Sequence, residues 1–252
     1  MSSGSIELDH VAIGVGRIAE VVDVVGGLMG GRRSSAGPGA GFLWAQWNYA
    51  RGELLEVIEP DGPPGGFMHR FLKARGPGVH HVTFKVDDIK AARASAEEFG
   101  YQVTGYDDSN PGWKEMFLHP KQAGGIVVQF AQSAPELDES IWRGEWPFPE
   151  PSDEALAGGA PIELVRLVIA APSEQQARRQ WGQLLGGQEC GGNGSLDYQW
   201  PGSPMRIRIE TGPTESPGPV ALEVRGLDTA GAGAASQALG IELKVQSSGT
   251  AT

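Results

Sequence analysis

Gly78-Val-His-His-Val-Thr-Phe-Lys-Val86 decides how the rest of the chain is read, together with its earlier echo Leu8-Asp-His-Val-Ala-Ile-Gly-Val15. Both stretches alternate as short strands do. Val11, Ile13 and Val15 fall on one face, with Leu8, His10 and Ala12 on the other; Val82, Phe84 and Val86 oppose His81, Thr83 and Lys85. Superposing the two strands puts His81 on His10. Taken singly, a histidine in such a place is more often structural than a ligand. Two at matching repeat positions reverse that expectation, because a repeat brings equivalent positions together across a pseudo-twofold axis.

The segments after each strand repeat as well. Residues 18–29 carry apolar positions at Ile18, Val21, Val22, Val25 and Leu28 and are predicted helical, ended by Gly30-Gly31. Residues 34–41 read as a Gly/Ser/Pro loop, and 42–49 and 53–59 as strands. In the second unit, 89–99 is the helix, opened by Asp87 or Asp88 and closed by Gly100. Strands are predicted at 101–106, 113–119 and 126–132. A third unit begins at Ile162-Glu-Leu-Val-Arg-Leu-Val-Ile169, which aligns without a gap on Ile6-Glu-Leu-Asp-His-Val-Ala-Ile13. It continues with a helix at 173–185 and strands at 195–200 and 205–210. A fourth starts near Val220, with a helix at 230–239 and a strand at 241–245, and stops before its strands are complete. The expectation is an α+β fold of tandem βαβββ units, the fourth truncated. The units pair into domains at 1–132 and 162–252. Residues 133–161 are read as a linker, rich in proline and packed down by Trp142 and Trp146.

At 252 residues the chain can bury two small cores. A net charge of −11 argues against nucleic acid and anionic membrane as main partners, while leaving room for a local basic pocket. The single cysteine, Cys190, excludes an intrachain disulfide and reads as a loop or buried thiol. The first residues lack a basic segment and an apolar run, and no stretch approaches the roughly 18 apolar residues of a membrane span. A cytoplasmic protein is the expectation. Gly26–Gly31 lies at a helix end, not a helix start, and is a poor dinucleotide candidate.

Four ligand-capable positions coincide between the first two units: His10 with His81, and Glu56 with Gln129. Two imidazoles and one carboxylate suit a divalent first-row metal, and a glutamine oxygen can serve as a fourth ligand. Glu56 also has a plain reading as a surface acid, but Glu53 and Glu59 have the opposite parity, so the three form no single solvated stripe.

These motifs resemble the vicinal oxygen chelate superfamily, which includes glyoxalases, bleomycin resistance proteins and ring-cleavage dioxygenases. His-Val-Ala-Ile (10–13), His-His-Val-Thr-Phe-Lys-Val-Asp-Asp-Ile (80–89) and Phe-Leu-His-Pro-Lys-Gln-Ala-Gly-Gly-Ile-Val-Val-Gln (117–129) are most similar to methylmalonyl-CoA epimerase-like and glyoxalase-like members. The resemblance covers residues 6–132. It implies half-closed barrels, two modules to each, around one metal held by His10, Glu56, His81 and Gln129. It leaves Zn, Ni, Co, Mn and Fe undistinguished. Epimerases carry Gln where Glu56 stands and Glu where Gln129 stands. Their glutamate base falls on Trp44, and the repeat equivalent of Trp44 is Glu115. Both acids have thus changed modules, which implies a mirrored site with Glu115 or Glu56 moving the proton. Trp44, Gln46 and Phe117 are the candidate substrate-binding residues on strands unusually rich in aromatics.

In the second domain Arg166 takes the place of His10, Pro219 takes that of His81, and Ile207 and Arg208 stand near the Glu56 position. A metal-free second domain is expected, with an open sheet edge for another element or a second subunit to cover, hence a homodimer as a candidate state. The leading reading is a metal-dependent isomerase, epimerase or lyase acting on a small organic carbonyl compound through an enolate. Two alternatives stay open: a non-haem iron ring-cleaving dioxygenase, and a small-molecule binding or resistance protein without catalysis.

Overall fold

In a computed structural model, which describes residues 5–137, 146–157, 160–191, 196–214 and 216–246, both histidine strands lie in the middle of one sheet. Its strands are β1 (Ile6–Gly14), β2 (Arg32–Gly39), β3 (Phe42–Asn48), β4 (Leu54–Pro60), β5 (Gly78–Val86), β6 (Val103–Asp107), β7 (Trp113–Leu118) and β8 (Val127–Ser133). The order β2-β3-β4-β1-β5-β8-β7-β6 is that of two βαβββ modules joined through their first strands, and the sheet curls into a half-barrel. Central placement explains why β1 is buried on both faces: Leu8, His10 and Ala12 are as inaccessible as Val11 and Ile13.

Helix α1 (Phe67–Arg75) joins the modules, and α2 (Ile89–Glu98) follows β5. Asp88 caps α2 by accepting from the Lys90 and Ala91 amides. The segment predicted as one helix at 18–29 is a 3-10 turn (Ile18–Glu20) followed by a π-helical turn (Asp23–Leu28). Its counterpart in the third module does the same, with α4 (Glu174–Ala177) running into a π-helical turn at Arg178–Leu184, after the short α3 (Asp153–Leu156).

One more expectation is corrected. The predicted loop at 34–41 is mostly strand β2, paired with β3 from Arg32↔Asn48 to Gly39↔Phe42 with a shift between Arg33 and Ala36. Its Gly, Ser and Pro content reads as non-strand, yet an edge position tolerates proline because that N–H side needs no partner. Of the segment read as a linker, residues 146–157 are packed down. Trp146 packs edge-on against Trp47 at 5.6 Å, with the Arg33 guanidinium over its ring. The Ser152 amide and hydroxyl donate to Asp23. Pro151 and Ala155 then fill the groove left by Gly26 and Gly27, where a Cβ on Gly27 would stand 2.5 Å from that of Ala155. That packing is what the glycine pair is for. Trp142 lies outside the described residues.

The C-terminal half forms a six-stranded sheet from β9 (Glu163–Ala171), β10 (Gln188–Glu189), β11 (Leu196–Gln199), β12 (Arg206–Thr211), β13 (Gly218–Arg225) and β14 (Glu242–Val245), with α5 (Thr229–Leu239) between the last two. The order β10-β11-β12-β9-β13-β14 repeats the plan of the first sheet, including a parallel pair at β13–β14 like that at β5–β8. Sheets follow chain order; compact units do not. One unit is Met1–His10, His81–Glu139 and Leu167–Val220, in which Phe84 stacks on Trp200 at 5.0 Å and the Gln180 amide donates to the Ala123 carbonyl. The other is Val11–His80, Ser140–Arg166 and Ala221–Thr252, in which Leu28 sits against Gly231 of α5. Among the described residues no helix is long and apolar enough to cross a membrane.

Candidate metal centre

Strand register decides which side chains share a face. Thr83 of β5 lies opposite Gln129 of β8, which lies opposite Phe117 of β7. The next row is Lys85, Ala131 and Glu115. On the other hairpin, Gln46 of β3 pairs with Glu56 of β4, and Trp44 with Ile58. One donor atom from each of His10, Glu56 and His81 lies within 4.8 Å of the other two, and all three side chains are buried. The imidazoles meet edge-on with centroids 5.8 Å apart. With metal–ligand bonds of about 2.0–2.2 Å, neighbouring donors on one ion stand about 3–3.6 Å apart, so a cluster within 4.8 Å closes on an ion through modest side-chain shifts. Two imidazoles and a buried carboxylate are a donor set that fits a divalent cation.

A chain of hydrogen bonds backs these donors. Asp9 Oδ2 accepts from His10 Nδ1 at 2.6 Å, which fixes the tautomer and leaves the lone pair on Nε2. Burial works to raise the Asp9 carboxyl, but the His10 hydrogen bond and charge, with help from Lys85, hold it below the usual range. Thr83 Oγ1 stands 2.9 Å from His10 Nε2 but gives its one proton to Gln129 Oε1 at 2.6 Å, which leaves the Nε2 lone pair for a metal. Gln129 Nε2 then donates to Glu115 Oε2 at 2.7 Å, and Trp113 Nε1 donates to the same oxygen at 2.8 Å. Burial lifts Glu115 above the ordinary carboxylate range; its two donors work against that, and the charge of Asp107 adds to it. In the first module the Gln46 amide donates to Glu56 Oε2 at 3.0 Å, and Ser35 Oγ donates to Gln46 Oε1.

The residues singled out from the sequence therefore fall into groups. His10, Glu56 and His81 are brought together. Gln129, 6% exposed, sits between Thr83 and Glu115. Gln46 is engaged with Glu56. Trp44 is half-buried on the Glu56 face, and the half-buried Phe117 packs its ring on Gly105, whose φ of +59° and open Cβ position admit it. Asp9, Thr83, Trp113 and Ser35 were not expected in these roles. Alternation places Asp9 on the opposite face from His10, and a threonine among small residues gives no signal. His80 is not part of the cluster. It packs between Phe67 and Phe71, where burial and the nearby charge of Arg75 push it down to about 4.

In the C-terminal sheet the corresponding cross-strand pair is Asp197↔Arg208, joined by hydrogen bonds of 2.7 and 2.9 Å. Arg166, at the His10 position, pairs with Glu223. Ion pairs stand there in place of metal ligands.

The fold and the donor set define a class. The chain belongs to the Glyoxalase/Bleomycin resistance protein/Dioxygenase superfamily, whose pattern matches residues 9–117. It is 30% identical over 132 residues to an ethylmalonyl-CoA/methylmalonyl-CoA epimerase of Cereibacter sphaeroides, a match covering 50% of this chain and 96% of that protein. It is 29% identical over 139 residues to the mitochondrial methylmalonyl-CoA epimerase of Homo sapiens, covering 50% and 73%. A mutant 4-hydroxymandelate synthase from Streptomyces coelicolor shares the fold across both halves, with a TM-score of 0.62 at 11% identity over 94% of this chain and 75% of that one.

Proposed function

We propose that this protein is a metal-dependent epimerase or isomerase that removes and returns a proton on a carbon next to a carbonyl, a lyase sharing the same first step. One observation carries the reading: a second acid, the half-buried Glu115, stands one hydrogen bond behind Gln129, while the donor cluster contains the single carboxylate Glu56. When bound, a divalent ion would supply Lewis-acid polarisation of the substrate carbonyl. Gln129 would complete its ligand set. Glu56, oriented by Gln46, serves as a ligand. Glu115 is the proton-transfer group, with its carboxyl already lifted toward the range a general base uses. Trp44 and Phe117 offer apolar walls for the substrate. Within this proposal residues 1–132 are the chemical domain and 162–252 a metal-free scaffold. Similarity to the epimerases supports the reading, and the superfamily pattern over residues 9–117 spans His10, Glu56, His81 and Glu115.

A two-histidine, one-carboxylate set also supports a second reading, an iron-dependent dioxygenase. Metal-loaded protein incubated with methylmalonyl-CoA in D2O separates the two. Deuterium entering the α-carbon, seen by NMR, is the expected result. Absence of exchange, with oxygen uptake by the iron form on a catechol, would replace the epimerase with the dioxygenase.

A further inference from the structure

Lys85 shares the ligand-bearing face of β5 with His81 and Thr83, one row beyond the Thr83–Gln129–Phe117 row. Its neighbour across β8 is Ala131, whose lone Cβ leaves a notch in the middle of the Lys85–Ala131–Glu115 row. Lys85 reaches across that notch: Nζ stands 4.0 Å from the centroid of the Trp113 ring. Trp113 meanwhile donates Nε1 to Glu115. One indole thus holds an ammonium on its face and the candidate base at its edge. The ligand-side positions of these strands are His81, Thr83 and Lys85 on β5, Trp113, Glu115 and Phe117 on β7, and Val127, Gln129 and Ala131 on β8. Among these positions Lys85 alone carries a fixed positive charge.

That charge matters because its surroundings are acidic. The chain carries −11, and Asp9, Glu56 and Glu115 add local negative charge. Long-range attraction will not bring an anion here; a fixed cation must. The chemistry proposed for Glu115 sharpens the need. As the proton passes to Glu115 the negative charge moves to the enolate, and a substrate carboxylate on the same carbon would set a second negative charge beside it, which a nearby cation offsets. An ammonium seated on an aromatic face is held in place by the ring and has three N–H donors in all.

We propose that Lys85, positioned by Trp113, is a specificity-determining residue: an anchor for a carboxylate carried on the carbon that Glu115 deprotonates. The inference rests on the proton-transfer reading of Glu115, but its test does not require turnover. Calorimetry on metal-loaded, dialysed protein compares malonate with the neutral malonamide, in wild type, Lys85→Met and Lys85→Arg. Methionine keeps an unbranched stem over Trp113 and removes the charge. Malonate affinity should fall about 10–100-fold in Lys85→Met, as expected for loss of a charge-assisted hydrogen bond, and largely return in Lys85→Arg. Malonamide binding should not change when every variant is kept saturated with metal, which holds any effect through Asp9 out of the comparison. Equal malonate binding in wild type and Lys85→Met overturns the proposal. So does an equal loss for both ligands, or no malonate binding by wild type. Glu115→Gln in the same titration keeps the two claims apart: retained malonate discrimination with slowed hydrogen exchange supports both, and retained discrimination with unchanged exchange removes only the role of Glu115.

Discussion

The first two modules hold the same pair of side-chain types in opposite arrangement. In module one the closing strand β4 presents an acid, Glu56, and the neighbouring strand supplies the amide Gln46 that orients it. In module two the closing strand β8 presents an amide, Gln129, and the neighbouring strand supplies the acid Glu115. One module therefore puts its negative charge among the donors. The other sets it one residue back, where burial rather than a metal decides its protonation. On the reading proposed above, two copies of one scaffold become a ligand and a base by exchanging which strand carries the carboxyl. The C-terminal sheet shows a third outcome. There the cross-strand pair is Asp197 with Arg208, so the acid is neutralised within the protein.

The largest effect that separates these regions is expected at the histidines. His81→Ala should lower metal content from a single ion per chain to near zero by elemental analysis, while Arg208→Ala should leave it unchanged; the reverse result would move the centre to the other sheet. Next comes the support of His10. Asp9→Asn replaces a carboxylate acceptor with an amide, and metal affinity should weaken about 10–100-fold in a competitive chelator titration. A wild-type value would show that Asp9 does not orient the ring. The smallest expected effect concerns His80, which sits beside His81 in sequence but on the opposite face. Its folded-state value near 4 lies below the ordinary 6.5, so the unfolded chain binds the extra proton first as pH falls. Stability should drop between about pH 6.5 and 4 and level off below, by at most about 3 kcal/mol for this group. Denaturant titrations of His80→Phe should lose that part of the slope. An unchanged slope would assign the acid sensitivity elsewhere.

Much of this was legible in the sequence because it is periodic. Alternation located β1 and β5, repetition singled out His10, His81, Glu56 and Gln129, and the resemblance to the epimerases added Glu115. What escaped has no period. Strand β2 is made of residues with poor strand propensity and is held by pairing with β3. The segment at 146–157 gains its structure from contact with Gly26, Gly27 and Trp47. Asp9 reaches His10 although adjacent strand residues point to opposite faces. Thr83 stands between His10 and Gln129 and donates to the latter through a hydroxyl that nothing in its neighbours announces. Compact units that cross the chain-order division depend on contacts such as Phe84 with Trp200, which no local pattern encodes.

The division of labour between Glu56 and Glu115 is tested most directly by one paired measurement on Glu115→Gln: metal content, and α-hydrogen exchange of methylmalonyl-CoA in D2O. Glutamine keeps the shape but cannot take the proton. The metal should stay at the wild-type level while exchange slows by about 10²–10⁴-fold, the usual contribution of a general base. Exchange at the wild-type rate, or loss of the metal along with activity, would contradict the account and leave Glu56 as the only acid in a position to act.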